Sequence, residues 1–334
     1  MKPTLKSIAD LTGMSISTVS RVLRGESKIR GESVDHIIKV AKELNYTLDE
    51  SLLYKSYNYE KRIKVALVTS FQVEEFFASM FKGLSEAASE KNIDLCLFDI
   101  DTNKYDIPSF LKHISELGFD AVILFVTTFE DHKHLESLSK LPDNLQLVSI
   151  SPSFNPVLET VTFDSYRGGY IIADHFNTKK FKDVGIITGP LVRYEALLRK
   201  NGFSDYVQHQ SDMNLIWTFN GNYSIESGKD AYKAFRELKV KPRAIFGSND
   251  SMCIGFILEA IKDGVRIPED LAIAGYDDIK FSKHILPSLT TIRTSYRELG
   301  LVALDLIERK IINAEKPIGN ISLIPVSLIQ REST

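Results

Sequence analysis

From residue 63 onward the chain alternates short apolar runs with amphipathic segments of helical period. The runs 63–70 (IKVALVTS), 93–99 (IDLCLFD), 120–126 (DAVILFV), 145–151 (LQLVSIS), 183–188 (DVGIIT), 242–247 (PRAIFG) and 271–276 (LAIAGY) read as strands. Helical periodicity fills 75–91, 106–117, 165–178, 193–209, 225–238 and 249–263 between them. Near-continuous apolar strands separated by helices predict parallel sheets covered on both faces. The number of units favours two sheets over one very wide one, and so a two-lobed α/β body with a cleft beyond the carboxyl ends of its strands.

The first 47 residues follow a different pattern, all of it helical. In TLKSIADLTGMSISTVSRVLR (4–24), Ala9, Gly13 and Val19 suit a helix crossing, a left-handed turn and an apolar anchor. Ser15 is placed to cap a second helix, and Ile8, Leu11, Met14, Val19, Val22 and Leu23 form its apolar inner face with the first. An ordinary helical hairpin would satisfy the same spacing. A helix-turn-helix would instead expose Ile16, Ser17, Ser20 and Arg21 to a DNA major groove. Val34, Ile37, Ile38, Ala41 and Leu44 predict a third helix within 29–46.

The segment TLKSIADLTGMSISTVSRVLRG resembles the headpiece of the lactose-repressor (LacI/GalR) family, and IRGESVDHIIKVAKELNY resembles that family's third helix. The resemblance extends over nearly the whole chain. It implies a sequence-specific DNA-binding transcriptional regulator: a headpiece at 1–47, a hinge at 48–62 and an effector-binding and dimerisation domain at 63–334. Lobe one is expected at about 63–163 and 294–322, lobe two at about 164–293 and 323–334, with crossovers near 163–166, 291–295 and 320–326. DNA contacts are expected from Thr4, Ser15, Ile16, Ser17, Thr18, Ser20, Arg21, Arg24 and Arg30. Relatives carry P-N-x-x-A-R-x-L after the third helix, whose leucine wedges into the minor groove. Here 48–55 reads LDESLLYK, which aligns Lys55 with the wedge and leaves Leu52 or Leu53 to serve after a register shift.

Candidate effector contacts come from two sources. Position alone selects Ser70, Phe76 and Phe77 after the first strand, and Asn249, Asp250 and Asp277 at later strand ends. One of the two phenylalanines is expected to be core, and Asp250 can equally be a helix cap. The resemblance adds Asp164 in TFDSYRGG, Arg199 three residues before Gly202-Phe203, Tyr223 as a ring that stacks on a sugar or purine, and Ser151 where many relatives place an acidic residue. The implied effector is a sugar or sugar derivative; a purine or a protein partner is the alternative.

Composition refines this picture in three ways. The net charge of −3 hides an excess of three positive charges in residues 1–62, leaving −6 on the rest, so a basic end faces DNA. Cys96 and Cys253 lie in apolar runs and read as two buried thiols in a reducing cytoplasm, with neither disulfide nor metal. Phosphate-loop, zinc-protease, G-x-S-x-G and paired C-x-x-C motifs do not occur, and the seven histidines lack ligand spacing, so neither enzyme nor cofactor is expected. The expected state is a cytoplasmic homodimer on a palindromic operator, with no membrane association, no export signal and no heptad tail for tetramerisation.

Overall fold

The computed structural model describes residues 3–24, 32–44, 46, 62–71, 75–101, 104–125, 145–154, 156–210, 212–313 and 319–334. Among the described residues, three helices form the N-terminal unit: α1 (Leu5–Thr12), α2 (Ile16–Leu23) and α3 (Glu32–Glu43). Thr4 and Ser7 make a reciprocal capping box, the Thr4 hydroxyl accepting from Ser7 N at 3.2 Å and the Ser7 hydroxyl from Thr4 N at 2.9 Å. Gly13 ends α1 at φ +67°, a backbone region open to glycine without steric cost. Ser15 caps α2, its hydroxyl accepting from Thr18 N at 3.1 Å. Ile8, Ala9, Val19, Val22 and Leu23 close over Val34, Ile37, Ile38, Val40 and Ala41 of α3. Leu11 departs from its predicted inward place and is 61% exposed. It lies two residues past buried Ala9, roughly 200° round the helix, so it points away from the core.

Among the described residues, the body holds two six-stranded sheets. Sheet one comprises β1 (Ile63–Thr69), β2 (Ile93–Asp99), β3 (Ala121–Phe125), β4 (Gln146–Ser149), β5 (Thr160–Phe163) and β11 (Ile321–Ile324), in the order β11-β5-β4-β3-β1-β2, all parallel. Alternate β1 residues serve opposite faces. Val65 and Leu67 pack with α4 (Glu75–Glu90) and α10 (Tyr296–Asn313), whereas Ala66 and Val68 pack with α5 (Ile107–Glu116). Sheet two comprises β6 (Asp183–Thr188), β7 (Asn214–Asn220), β8 (Ala244–Gly247), β9 (Ala272–Asp277), β10 (Thr290–Arg293) and β12 (Ser327–Ile329), in the order β12-β10-β9-β8-β6-β7. Only β12 runs antiparallel. Helices α6 (Ser165–Thr178) and α7 (Tyr194–His209) cover one face, α8 (Ile225–Arg236) and α9 (Asp250–Lys262) the other. Among the described residues, no helix is long and apolar enough to cross a membrane.

Five strands escaped the apolar-run reading. β5 (TVTF) and β10 (TTIR) bury threonines, and a polar letter breaks an apolar run whatever its burial. β7 is an edge strand that alternates exposed with half-buried residues, the pattern of a strand covered on one side. β11 and β12 are short tails beside the crossing between sheets. The chain passes between lobes three times: from β5 to α6, from β10 to α10, and from β11 to β12. The third passage falls after Ile324, not after residue 322, because Leu323 and Ile324 still pair with Thr162 and Phe163 of sheet one. Cys253 is buried, but Cys96 is exposed, since it lies on β2 at the sheet edge.

Glycines set a close helix crossing between α6 and α7. A Cβ on Gly169 would lie 2.0 Å from the Arg199 carbonyl oxygen, and one on Gly202 would lie 1.9 Å from that of Tyr166. Helices α6 and α7 therefore touch backbone to backbone, and this contact fixes the height of Arg199. Gly202→Ala should force the helices apart and cost on the order of 1–3 kcal/mol. Urea unfolding of the full chain measures it, and an unchanged midpoint would contradict the close crossing.

Candidate ligand cleft and nucleic-acid interface

Between the lobes, at the carboxyl ends of both sheets, lies a cavity lined by residues of both lobes. Its lobe-two wall is polar. Arg199 reaches in from α7 and is 7% exposed. Its guanidinium donates to the Ser248 carbonyl at 2.6 Å, lies 3.6 Å from Asp277 Oδ1 and stacks 3.6 Å over the Tyr276 ring. Asp277 ends β9 at φ +111°, its carbonyl accepting from the Thr294 hydroxyl at 3.1 Å. Asn249 caps α9, accepting from Met252 N at 3.0 Å, while its amide donates to the Tyr223 carbonyl at 2.8 Å. That bond holds Tyr223 at φ +75°, with its ring directly over Gly189.

Arg199 Nε, Asp277 Oδ1 and the Tyr223 hydroxyl are buried without a hydrogen-bond partner among the described residues. Buried polar atoms ordinarily find partners, so three together mark a surface built to receive donors and acceptors from outside. Burial pushes the Asp277 carboxyl up to about 7, against the pull of Arg199. Burial works to lower the Arg199 pKa, yet Asp277 and the neighbouring phenols and Glu195 outweigh it and leave it raised. Burial also raises the Tyr223 phenol.

The lobe-one wall is apolar. Phe76, Phe77 and Met80 come from α4, Phe125 ends β3, Phe163 ends β5, and Tyr296 and Leu299 open α10. Phe77 is core, at 6% exposed, and Phe76 packs beside it at 5.3 Å between ring centroids; both line the cavity. Two contacts bridge the lobes at its mouth. Glu75 accepts from Phe281 N at 3.2 Å, and Phe154 meets Tyr194 edge to face at 5.8 Å.

Six of the ten sequence-selected residues therefore line one cavity: Phe76, Phe77, Arg199, Tyr223, Asn249 and Asp277. Four do not. Ser70 donates to the Ile100 carbonyl at 2.9 Å and ties the end of β1 to the segment after β2. Ser151 is buried between the cavity-lining Ile150 and Pro152, its hydroxyl unpartnered. Asp164 caps α6 by accepting from Arg167 N at 2.9 Å, while its neighbour Ser165 lines the cavity. Asp250 turns into the lobe-two core, where Ile279 N, the Ser282 hydroxyl and the Thr291 hydroxyl donate to it at 3.0, 2.6 and 2.5 Å. Burial raises its carboxyl to about 8. Sequence reasoning missed Phe125, Phe163, Arg193, Glu195, Asn222 and Tyr296. Phe125 ends β3 and was within reach of the strand-end rule; Phe163 ends β5, a strand the apolar runs did not reveal, and Tyr296 depends on the second crossing and had no local signal.

In the N-terminal unit, Ile16 is 49% exposed, and Ser17, Arg21 and Arg24 are exposed with it on α2. Thr18 and Ser20 are half-buried. The hydroxyls of Ser17 and Thr18 lie 2.9 and 2.8 Å from that of Ser15, so the first turn of α2 presents an ordered row of hydroxyls. Thr4 is exposed at the start of α1, and Arg24 Nε donates to the Ser20 carbonyl at 3.3 Å. Arg30, Leu52, Leu53 and Lys55 lie outside the described residues.

Comparison with known proteins agrees with both halves. Residues 4–49 match the family described as bacterial regulatory proteins, lacI family, and residues 173–334 match a periplasmic binding protein-like domain. The HTH-type transcriptional repressor PurR of Mannheimia succiniciproducens is 25% identical, over 98% of each chain. A lac repressor dimer bound to operator and the anti-inducer ONPF superposes with a TM-score of 0.71 at 20% identity, over 100% of this chain and 99% of that one. The transcriptional regulator CelR in complex with cellobiose gives 0.71 at 21% identity, over 99% and 100%.

The raised carboxyls make a prediction about pH. Asp277 and Asp250 keep their protons in the folded state at pH values where the unfolded chain has released them, so stability falls as pH rises from about 4 towards 8. Asp277→Asn cannot titrate and should lose more than about 1 kcal/mol of that fall. Urea unfolding at several pH values compares the two slopes, and identical slopes would contradict the assignment.

Proposed function

We infer, for a chain that belongs to the LacI family of bacterial regulatory proteins, that it is a transcriptional repressor gated by a small polyhydroxylated effector bound between its lobes. The observation that carries this reading is the trio of buried, unpartnered polar atoms on Arg199, Asp277 and Tyr223, in a cleft covalently joined to a helix-turn-helix. Arg199 and Asn249 suit the oxygens of a sugar, Asp277 suits its hydroxyl protons, and the Tyr223 ring suits its C–H face. Cellobiose, in the CelR complex, is a ligand of this kind.

The first turn of α2 reads base edges in the major groove, with Ile16 and Ser17 foremost and Arg21 reaching further along. A single short helix reads too few base pairs for specificity. The protein therefore acts in the cytoplasm as a homodimer on a palindromic operator, its two headpieces one helical turn, or a multiple, apart. Ligand binding favours the closed arrangement of the lobes and thereby changes the spacing of the headpieces. Coupling of this type is worth about 1–3 kcal/mol, a 5- to 150-fold change in operator affinity.

Fluorescence anisotropy on the protein's own upstream DNA and on scrambled DNA, at one salt concentration, tests both halves. A pool of hexoses, pentoses and their glycosides should shift the specific binding and leave the scrambled duplex unaffected. A shift with nucleobases alone would replace the sugar by a purine. Arg21→Ala should weaken specific binding by about tenfold or more and scrambled binding far less. Equal losses on both duplexes would make Arg21 a phosphate contact.

A further inference from the structure

The strand end that carries Asp277 is strained at two successive residues. Asp277 stands at φ +111° and Asp278 at φ +56°, both in the left-handed region although neither is glycine. Asp277 lines the cleft, its Oδ1 3.6 Å from Arg199. Asp278 stays out of the cleft, where its carboxylate accepts from Arg293 Nε at 2.7 Å and from Arg331 Nη2. The other arm of the Arg331 fork, Nη1, donates to the Leu289 carbonyl at 2.7 Å, and the Arg331 amide donates to the Thr290 hydroxyl at 2.9 Å. The Arg331 side chain is 14% exposed and that of Arg293 53%, so the Arg331 half of this clamp is the one shielded from water and the stronger.

Both arginines belong to chain that connects the lobes. Arg293 ends β10 just before the passage to α10, and Arg331 follows β12 just after the return from β11. One residue beyond Arg293, the Thr294 hydroxyl donates to the Asp277 carbonyl at 3.1 Å. A carboxylate outside the cleft thus gathers two of the three crossings onto the strand end that supplies a cleft residue. Without the clamp, the turn would relax towards ordinary extended backbone. Successive side chains then alternate between faces, which carries the Asp277 carboxyl away from Arg199. We propose that Asp278, clamped by Arg331 and Arg293, is the positioning residue that holds the Asp277 carboxyl beside Arg199 and so sets the affinity of the effector site. Arginine suits position 331 because its planar fork engages Asp278 and the Leu289 carbonyl at once, in fixed geometry. The proposal rests on the reading of Asp277 as an effector contact and adds the residues that aim it.

The test compares full-length variants. Asp278→Asn tolerates the left-handed backbone but loses the charge, and Arg331→Met keeps the length but loses the fork. The two combined leave no buried charge without its partner, which guards against a fold lost in either single variant. Glu332→Gln is the control: Glu332 accepts from the Ser288 amide at 2.9 Å and hydroxyl at 2.8 Å, and so pins the same terminal segment without touching Asp278. Response is read as the concentration of pooled hexoses, pentoses and glycosides that half-shifts operator anisotropy. Crystal structures of the wild type and Asp278→Asn, both without sugar, show where the Asp277 carboxyl lies. Asp278→Asn and Arg331→Met should each raise that concentration about tenfold or more, as losing one charged hydrogen-bonding group implies. The double variant should be no worse than either single one, and Glu332→Gln should respond as the wild type does. In the Asp278→Asn crystal the Asp277 carboxyl should have left Arg199. Glu332→Gln responding as weakly as Arg331→Met would reduce the clamp to general anchoring and overturn the proposal, as would an unmoved Asp277 carboxyl. A wild-type chain that ignores the whole pool overturns the sugar reading instead, and the crystal comparison then decides the clamp by itself.

Discussion

A guanidinium taken out of water must be met on every side, and the lobe-two wall is organised around meeting that of Arg199. The Ser248 carbonyl, the Asp277 carboxylate and the face of Tyr276 come from the ends of β8 and β9, so one side chain ties helix α7 to two strand termini. The glycine crossing of α6 and α7 sets the distance from which Arg199 reaches in. Asp277 and Tyr223 accept left-handed backbone conformations that cost non-glycine residues on the order of 1 kcal/mol or more. Packing elsewhere in the lobe sustains that strain. The polar wall is therefore rigid before any ligand arrives, which limits the ordering cost of binding.

Two chemistries face each other across the cleft. The lobe-two side is charged, short of hydrogen-bond partners and built on strand ends. The lobe-one side is a set of rings continuous with that lobe's own hydrophobic core. Any ligand that touches both walls links a core to a charge cluster, and Glu75 with Phe281, and Phe154 with Tyr194, already join the two sides at the rim.

Much of this was legible in the sequence. Runs such as IKVALVTS read as buried parallel strands because they are apolar on both faces, and both faces are indeed covered. The helix-turn-helix was legible because Gly13 and Ser15 have conformational and capping duties that few other residues perform. What stayed hidden had physical reasons. Buried threonine in β5 and β10 looks like a surface residue in a one-dimensional pattern. Asn249 and Asp250 are neighbours at one helix start, yet Asn249 is the extended cap and Asp250 the first helical residue, and that change of backbone conformation turns one to the cleft and the other into the core. No rule based on strand ends can separate them. Cys96 appeared buried because its neighbours are apolar, whereas sheet order decides which strand is the edge.

Three separate strands of chain cross between the lobes, from β5 to α6, from β10 to α10 and from β11 to β12. A single connection would let one lobe swivel about any axis. Three connections drawn side by side remove most of that freedom, as three knuckles do in a door hinge. The lobes are left with essentially one way to open and one way to shut. Opening thus becomes a movement along a single track, with its direction written into the backbone, and a ligand needs only to choose a position on it.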